Sequence, residues 1–362
     1  MLRKITLALS FSLFGSILAA DPAKPARLDR EDLLAFHRGD GAVHRAQTRE
    51  DWQQRRAEIL RGMQAVMGPL PGAEKRCALD VEVEEEFDAG DHLRRKITYA
   101  AEPGGRARAF LLIPKAALAG KEKFPAVLCL HGTDNVVGHR SIVEEGHKTN
   151  RTYALELAKR GYVTLAPAYP QLADYQPDLK ALGYASGTMK AIWDNMRGLD
   201  LLDSLPFVQR GHYAAIGHSL GGHNSVYTAV FDERLKAVVS SCGLDSYADY
   251  KGGDITGWTS ARYMPRLAQF KGRSSETPFD FDELLAALAP RPVMLSAPLH
   301  DANFAAASVD RIAAAARAVY ALQGAPDSLV VEHPDGEHDF PDGARDKAYA
   351  FLNAVLRPAM RG

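Results

Sequence analysis

Cysteine is scarce in this sequence, and neither sign of charge is in excess. Three cysteines among 362 residues cannot form the disulfide framework of a small secreted domain. Lys and Arg number 44 and Asp and Glu 45, a net charge of −1, so no overall field attracts nucleic acid or an anionic membrane. A His-Glu-x-x-His motif, a Cys-x-x-Cys pair and a phosphate-binding loop are also missing. We therefore expect no metal site, no cofactor and no nucleic-acid partner.

Long apolar runs are missing too, except near the amino terminus. Arg3 and Lys4 precede an apolar stretch from Ile5 to Phe14, and small residues ending in Ala19-Ala20 follow. This layout predicts a cleavable signal peptide over residues 1–20, with an uncleaved anchor as the alternative. We expect the mature chain to be secreted or periplasmic, without stable insertion in a membrane.

The residues after the signal peptide have the composition of a folded globular protein, since 46% of the whole chain is hydrophobic and 25% charged. Residues 21–45 are polar with little periodicity and predict an extended arm. Thr48 and Asp51 have the spacing of a capping box, and apolar residues then recur at helical spacing as far as Met67. Residues 21–75 thus predict an arm and a helix that packs on the main domain.

From residue 76 onward, short apolar strands alternate with helices. The strand candidates are Ala78–Phe87, His92–Tyr99, Ala107–Ile113, Ala126–Leu130, Val163–Ala166, Tyr213–Ile216, Ala237–Ser241, Val293–Ser296 and Leu329–Glu332. The helix candidates are Thr152–Arg160, Thr188–Leu205, Leu220–Phe231, Ser308–Leu322 and Gly343–Leu356. This alternation predicts an α/β domain over residues 76–362, with a mostly parallel sheet covered by helices on both faces.

The motif with the clearest chemistry is Gly217-His218-Ser219-Leu220-Gly221, between a predicted strand and a predicted helix. In a nucleophile elbow a strand turns sharply into a helix and holds a serine in a strained conformation. Side chains two residues before and after the serine would collide with backbone, so both positions need glycine. We therefore predict that Ser219 is a nucleophile.

A serine nucleophile needs a base and an acid from elsewhere in the chain. His338 follows the last predicted strand and is the candidate base, with His300 as the alternative. Asp301 follows the preceding strand and completes the order Ser, Asp, His that this fold uses. Asp245 follows an earlier strand and is a rival for the role of the acid.

Two backbone N–H groups are candidates for binding the developing oxyanion. Leu220 follows the nucleophile, and Thr133 lies in the His131-Gly132-Thr133 loop after the strand Ala126–Leu130. We expect His131 to orient this loop rather than to act as a base.

Residues 244–284 interrupt the alternation of strands and helices and are rich in aromatic and cationic side chains. We expect this insertion to form part of a cap or pocket wall over Ser219. Trp258 is a candidate to stack on a substrate ring, and Arg262 to bond a substrate carboxylate or hydroxyl. The alternative is that Trp258 packs in a small core of the insertion itself.

The motifs His131-Gly132, Gly217-x-Ser219-x-Gly221, Asp301 and His338 resemble those of α/β-hydrolases, with similarity to the dienelactone hydrolase and acetyl xylan esterase-like branches over roughly residues 76–356. The resemblance implies an eight-stranded, mostly parallel sheet and ester hydrolysis without a cofactor. In such a sheet we expect the insertion at 244–284 to lie between the sixth and seventh strands. Dienelactone hydrolases use a cysteine nucleophile, and Ser219 in this position favours an ordinary serine esterase.

In this fold the elbow strand lies between the strands of Cys129 and Cys242. Two strand spacings are about 10 Å, which is too far for a disulfide, so we expect free thiols.

We therefore expect a secreted serine hydrolase that cleaves carboxylic esters of small molecules or carbohydrates, such as acetyl esters. A non-catalytic binding protein on a hydrolase scaffold and a serine peptidase of related fold are the alternatives. A lipase is disfavoured because the insertion is charged rather than broadly apolar.

Overall fold

The computed structural model describes residues 27–120 and 122–357. The predicted signal peptide therefore lies outside the described residues. Within those residues, no helix combines the length and the apolar character needed to cross a membrane.

The described amino-terminal residues form a small hairpin and a long helix. Strands β1 (Ala35–His37) and β2 (Val43–Arg45) pair antiparallel, so this segment is more ordered than the predicted arm. Helix α1 (Arg49–Met67) begins at the predicted capping box, because the Thr48 hydroxyl accepts a hydrogen bond from the Asp51 N–H and the Asp51 carboxylate accepts one from the Thr48 N–H. Its buried side chains join the main core.

In the described part of the chain the main sheet contains nine strands, and each overlaps a predicted strand. They are β3 (Glu82–Asp88), β4 (His92–Glu102), β5 (Gly105–Pro114), β6 (Phe124–Leu130), β7 (Val163–Pro167), β8 (Val208–His218), β9 (Leu235–Ser241), β10 (Val293–Ser296) and β11 (Leu329–Glu332). Their order across the sheet is β11-β10-β9-β8-β6-β7-β5-β4-β3. The strands from β7 and β6 to β11 run parallel, while β3, β4 and β5 are antiparallel.

Within residues 27–120 and 122–357, seven more helices follow α1. They are α2 (Lys115–Leu118), α3 (Tyr153–Lys159), α4 (Gly187–Ser204), α5 (Leu220–Phe231), α6 (Phe281–Leu288), α7 (Ala306–Leu322) and α8 (Asp342–Leu356). One large core joins the sheet to α1, α4, α5, α6 and α7, and a second core joins the other face to α3 and α8. The predicted layering, with helices on both faces of a mostly parallel sheet, is confirmed.

The strand count differs from what the resemblance implies, and this changes the number of the strands between which the insertion lies. The antiparallel edge carries one strand more than the implied eight, so the insertion falls between the seventh and eighth strands of the sheet, β9 and β10, rather than between the sixth and seventh. The insertion holds the short 3₁₀ helices Ile255–Trp258, Pro265–Phe270 and Ser274–Glu276. Its predicted end at residue 284 lies inside α6, which Asp280 caps.

Candidate active site

The turn between β8 and α5 has the backbone of a nucleophile elbow. Ser219 lies at φ 56° and ψ −121°, in a region of backbone conformation that residues other than glycine rarely adopt. A Cβ atom at Gly221 would lie 1.8 Å from the Leu130 carbonyl oxygen, and one at Gly217 would lie 2.2 Å from the Gly221 backbone. Only glycine fits at these two positions, as the motif predicts.

Three loops at the carboxyl edge of the parallel strands bring Ser219, His338 and Asp301 together. Asp301 follows β10, and His338 follows β11. The Ser219 hydroxyl lies 3.0 Å from His338 Nε2, and His338 Nδ1 lies 2.8 Å from Asp301 Oδ2. With the proton on Nδ1, the imidazole donates to Asp301 and its Nε2 can accept the proton of Ser219. The arrangement therefore has the connectivity of a catalytic triad.

Asp301 is held as a charged group. Its side chain is fully buried, and its Oδ1 atom accepts hydrogen bonds from the N–H groups of Asn303 and Phe304 at 2.8 and 3.0 Å. Burial on its own would raise the pKa of this carboxyl, but the hydrogen bonds from His338 and from these N–H groups outweigh burial and lower the pKa. A charged, fixed carboxylate is suited to stabilise an imidazolium ion.

The two rival residues do not join this hydrogen-bonded group. The Asp245 carboxylate accepts a bond from the Ala305 N–H at 3.2 Å, and burial raises its pKa to about 6. Nδ1 of His338 bonds to Asp301 rather than to Asp245. The side chain of His300 is 65% exposed and bonds to a neighbouring loop carboxylate.

The loop after β6 is fixed by His131. Its Nδ1 atom lies 2.8 Å from the Gly132 carbonyl oxygen, and its Nε2 atom accepts a hydrogen bond from the Tyr169 N–H at 3.0 Å. Burial lowers the pKa of His131 to about 4, so the ring is neutral near pH 7 and its Nδ1–H donates to the carbonyl. His131 thus orients the loop, as the sequence predicts.

One proposed oxyanion donor directly follows the nucleophile, and the other lies in a loop that passes beside it. Leu220 is the first residue of α5, and Gly132 lies so close that a Cβ atom there would be 3.7 Å from Ser219 Cβ. Across the described part of the chain, no backbone carbonyl accepts a hydrogen bond from the Leu220 or the Thr133 N–H. Both groups are free to bind a substrate oxygen, and their catalytic roles stay predictions.

The insertion touches the same loop through two side chains. Tyr263 places its hydroxyl 3.0 Å from Thr133 Oγ1, and Arg262 Nη2 donates to Asn135 Oδ1 at 2.9 Å. Sequence reasoning identified Arg262 but missed Tyr263 and Asn135. The only feature of the sequence that pointed to Tyr263 and Asn135 was their position, because Tyr263 is adjacent to Arg262 and Asn135 lies two residues after Thr133.

Trp258 does not present a face for stacking on a substrate. Its side chain is 4% exposed and lies among six aromatic rings of the insertion and the main domain, at centroid distances of 4.8 to 6.4 Å: His223, Tyr247, Tyr250, Tyr263, Phe281 and Phe304. This burial favours the packing interpretation over the prediction that Trp258 binds substrate. Residue type alone does not show whether a tryptophan is buried in a core or exposed in a binding site.

Arg262, in contrast, lines an open cavity of about 570 Å³. The other polar side chains of its wall are Asn135, Gln171, Gln176 and Ser260. Asn135 lies two residues beyond Thr133, and Arg262 precedes Tyr263, so the cavity adjoins the loop that carries a proposed oxyanion donor. The wall contains no large apolar side chain.

One group of side chains in the described residues could hold a metal ion. It consists of Cys242, Asp301 and His338, whose potential ligand atoms all lie within 4.8 Å of one another. All three cysteines are free thiols, as expected for Cys129 and Cys242.

The fold and the hydrogen-bonded Ser–His–Asp group define an α/β-hydrolase of the serine type. The chain belongs to the prolyl oligopeptidase family, because residues 149–356, more than half of its length, match the model of that family. Residues 31–183 match a further model, described as an abhydrolase family. The chain is therefore a hydrolase of the superfamily that contains serine esterases and serine peptidases.

Individual relatives agree with this assignment. The chain is 26% identical to the "putative hydrolase YtaP" of Bacillus subtilis strain 168, over 83% of this chain and 100% of that protein. A glucuronoyl esterase from Solibacter usitatus superposes with a TM-score of 0.73 at 20% identity, covering 92% of this chain and 99% of that one. A putative acetyl xylan esterase from Bacteroides fragilis gives a TM-score of 0.60 at 19% identity, covering 88% and 85%. At these identities the two structures establish the fold, and the α/β-hydrolase prediction is confirmed.

Proposed function

We propose that this protein hydrolyses carboxylic esters through an acyl-enzyme intermediate. The observation that carries the proposal is the continuous hydrogen-bonded chain from Asp301 through His338 to Ser219. We assign Ser219 as nucleophile, His338 as general base and Asp301 as the group that orients the imidazole and stabilises its charged form.

The first half of the reaction forms the acyl-enzyme. Ser219 Oγ bonds to the ester carbonyl carbon while His338 Nε2 takes the hydroxyl proton. The N–H groups of Leu220 and Thr133 would donate to the oxyanion of the tetrahedral intermediate. When the carbon–oxygen bond of the ester breaks, Nε2 gives its proton to the departing alcohol. A water molecule then repeats the sequence and releases the carboxylic acid.

The side chains that line the cavity beside the loop after β6 are suited to bind a hydroxyl-rich substrate. Amide, hydroxyl and guanidinium groups line it, and these groups bond to sugar hydroxyls or to a carboxylate rather than to an alkyl chain. We therefore propose that the substrates include carbohydrate esters, such as acetylated sugars. Arg262 is assigned to this recognition, while Trp258 is not.

A fluorophosphonate probe and an ester panel test the catalytic assignment. We expect the probe to label Ser219 alone and the Ser219→Ala chain to remain unlabelled. We expect His338→Ala to lose roughly 10⁴-fold in kcat/KM on p-nitrophenyl acetate. His300→Ala is the matched control, because its exposed ring lies outside the triad, and it should retain its activity. Labelling that persists without Ser219, or an active His338→Ala chain, would refute the assignment.

The cavity is tested by comparing two esters in one variant. Arg262→Ala should raise KM for an acetylated xylo-oligosaccharide and leave KM for p-nitrophenyl acetate nearly unchanged. Gln176→Ala should act in the same direction, because its amide lines the same wall. A parallel change on both esters would show that the cavity does not bind the sugar.

Family membership favours a second candidate, a serine peptidase. Peptidyl p-nitroanilides in the same assay distinguish the two. Ester turnover with no turnover of these amides supports the esterase, while efficient amide cleavage that depends on Ser219 supports the peptidase.

We also propose that the protein is exported, on the basis of the basic and apolar residues at 1–20. Sequencing of the mature amino terminus from a secreting host should give Asp21. A chain that keeps residues 1–20 would contradict cleavage.

A further inference from the structure

Cys242 contacts the loop that carries His338 and takes no part in the proposed reaction. The residue follows β9 with φ 47°, and its side chain is almost completely buried. Its Sγ atom lies 3.3 Å from the carbonyl oxygen of Asp339, the residue after His338. The thiol also lies within 4.8 Å of the potential ligand atoms of Asp301 and His338.

We propose that Cys242, Asp301 and His338 form an inhibitory site for a thiol-binding divalent cation such as Zn²⁺, and that its occupation inactivates the triad. The inference rests on the proposed function for its first readout, and its geometry adds the Cys242 thiol to two members of the triad. Zn²⁺ binds thiolate sulfur, imidazole nitrogen and carboxylate oxygen, and this group offers one of each.

The distances between the three potential ligand atoms are close to those around a bound zinc ion. Ligand bonds of about 2.0–2.3 Å around a tetrahedral ion place neighbouring ligand atoms roughly 3.5 Å apart. The three ligand atoms lie within 4.8 Å of one another, and His338 Nδ1 is 2.8 Å from Asp301 Oδ2. Asp301 is fixed by two backbone N–H groups, whereas the His338 ring is 30% exposed on a loop. A small shift of this ring would open the space between Nδ1 and Oδ2.

Metal binding at this place reverses the proton arrangement that catalysis requires. In the active form Nδ1 of His338 carries the proton and Nε2 accepts the proton of Ser219. A cation takes the Nδ1 lone pair, so the single ring proton moves to Nε2, where it donates towards Ser219 Oγ. The Cys242 thiol loses its proton to solvent and becomes a thiolate. Nε2 can then no longer act as a base.

Inhibition is measured on the full mature chain in a Cys77→Ser background, which removes the most exposed of the three cysteines. Zn²⁺ should abolish hydrolysis of p-nitrophenyl acetate, and EDTA should restore it. Cys242→Ala should raise the half-inhibiting Zn²⁺ concentration by roughly 100-fold or more, relative to its own metal-free rate. Cys129→Ala is the matched control, a buried thiol on β6, and should be inhibited like the parent. Equal inhibition of Cys242→Ala would overturn the proposal.

Cd²⁺ gives a readout that needs no catalysis, because thiolate bound to Cd²⁺ produces an ultraviolet charge-transfer band that the metal-free protein lacks. We expect this band in the parent and in Cys129→Ala, and its loss in Cys242→Ala and Cys242→Ser. No band in the folded parent at saturating Cd²⁺ would refute the site without any variant. If the band appears while no ester is cleaved, the site stands and the esterase proposal fails. If esters are cleaved but no band appears, the esterase proposal stands and the site fails.

Discussion

Asp301 and Asp245 are two buried aspartates near the catalytic loop, and they differ in the groups that face them. Asp301 accepts bonds from His338 and two backbone N–H groups, which together lower its pKa despite burial. Asp245 has a single backbone donor, from Ala305, and burial raises its pKa to about 6. The first environment stabilises a carboxylate, and the second penalises it.

This difference predicts which aspartate supports catalysis. Asp301→Asn should lower kcat/KM on p-nitrophenyl acetate by roughly 10⁴-fold, because the amide no longer fixes the imidazole tautomer. Asp245→Asn should stay within an order of magnitude of wild type in the same assay. If Asp245→Asn were inactive and Asp301→Asn active, the acid of the triad would be Asp245, which follows β9, instead of Asp301.

At the level of elements, the insertion between β9 and α6 is anchored by an aromatic core that it shares with the main domain. Trp258→Ala should reduce the free energy of unfolding by about 3–5 kcal/mol, the usual cost of truncating a buried aromatic side chain. We expect comparable effects on KM for a sugar ester and for p-nitrophenyl acetate, in contrast to Arg262→Ala. Chemical denaturation and the two-substrate assay measure both. An increase in KM confined to the sugar ester, with unchanged stability, would restore Trp258 to substrate binding.

Helix α6 is tied to the amino-terminal segment by buried ion pairs. Arg30 Nη1 lies 2.6 Å from Asp280 Oδ2, and the Asp280 side chain is 1% exposed. Asp280 also caps α6 and accepts a hydrogen bond from the Tyr247 N–H of the insertion. The segment before β1 thereby supports the elements that form one side of the site.

Removal of the Arg30 side chain should therefore lower the free energy of unfolding far more than removal of a surface arginine. Arg30→Ala leaves Asp280 buried without its counter-ion, and we expect a loss of about 3–5 kcal/mol in the free energy of unfolding. Arg45→Ala breaks a solvent-exposed pair with Asp32 and should cost less than about 1 kcal/mol. Urea denaturation measures the free energy of unfolding of the two variants. Similar losses in both would show that the pair between Arg30 and Asp280 does not stabilise the fold more than a surface pair does.

At the scale of the whole molecule, the sequence predicted the sheet well because each parallel strand is a short apolar run between turn residues. Helix α6 was missed after a long irregular segment, although Asp280 and Glu283 have capping-box spacing. The positions of Ser219, Asp301 and His338 agree with chain order and motif, since strand ends meet at one edge. Burial of Trp258 and the cavity at Arg262 depend on contacts between distant segments, which residue type does not encode.

Several histidines are buried in the neutral form, which makes stability depend on pH. Burial lowers the pKa of His223 to about 3, against roughly 6.5 in an unfolded chain. Between these values the unfolded chain binds a proton that the folded chain does not, so the free energy of unfolding falls as the pH drops below about 6.5.

A single substitution isolates this contribution. Between about pH 7.5 and pH 5, wild type should lose roughly 2 kcal/mol more than His223→Phe, which has no proton to bind in the unfolded state. Urea midpoints at the two pH values measure the difference. Parallel pH profiles for the two chains would show that His223 titrates normally in the folded protein.

The left-handed backbone of Ser219 has a consequence for evolution as well as for catalysis. A non-glycine residue in such a conformation costs about 1–3 kcal/mol, and Ala at this position would carry the same cost. Glycine usually destabilises a chain relative to alanine by about 0.5–1 kcal/mol, but at position 219 we expect the opposite order. Ser219→Gly should be at least as resistant to urea as Ser219→Ala, and a clearly less stable Ser219→Gly chain would argue against strain. Selection for activity and selection for stability therefore oppose each other at this residue, and the functional sequence is less stable than an inactive variant one substitution away.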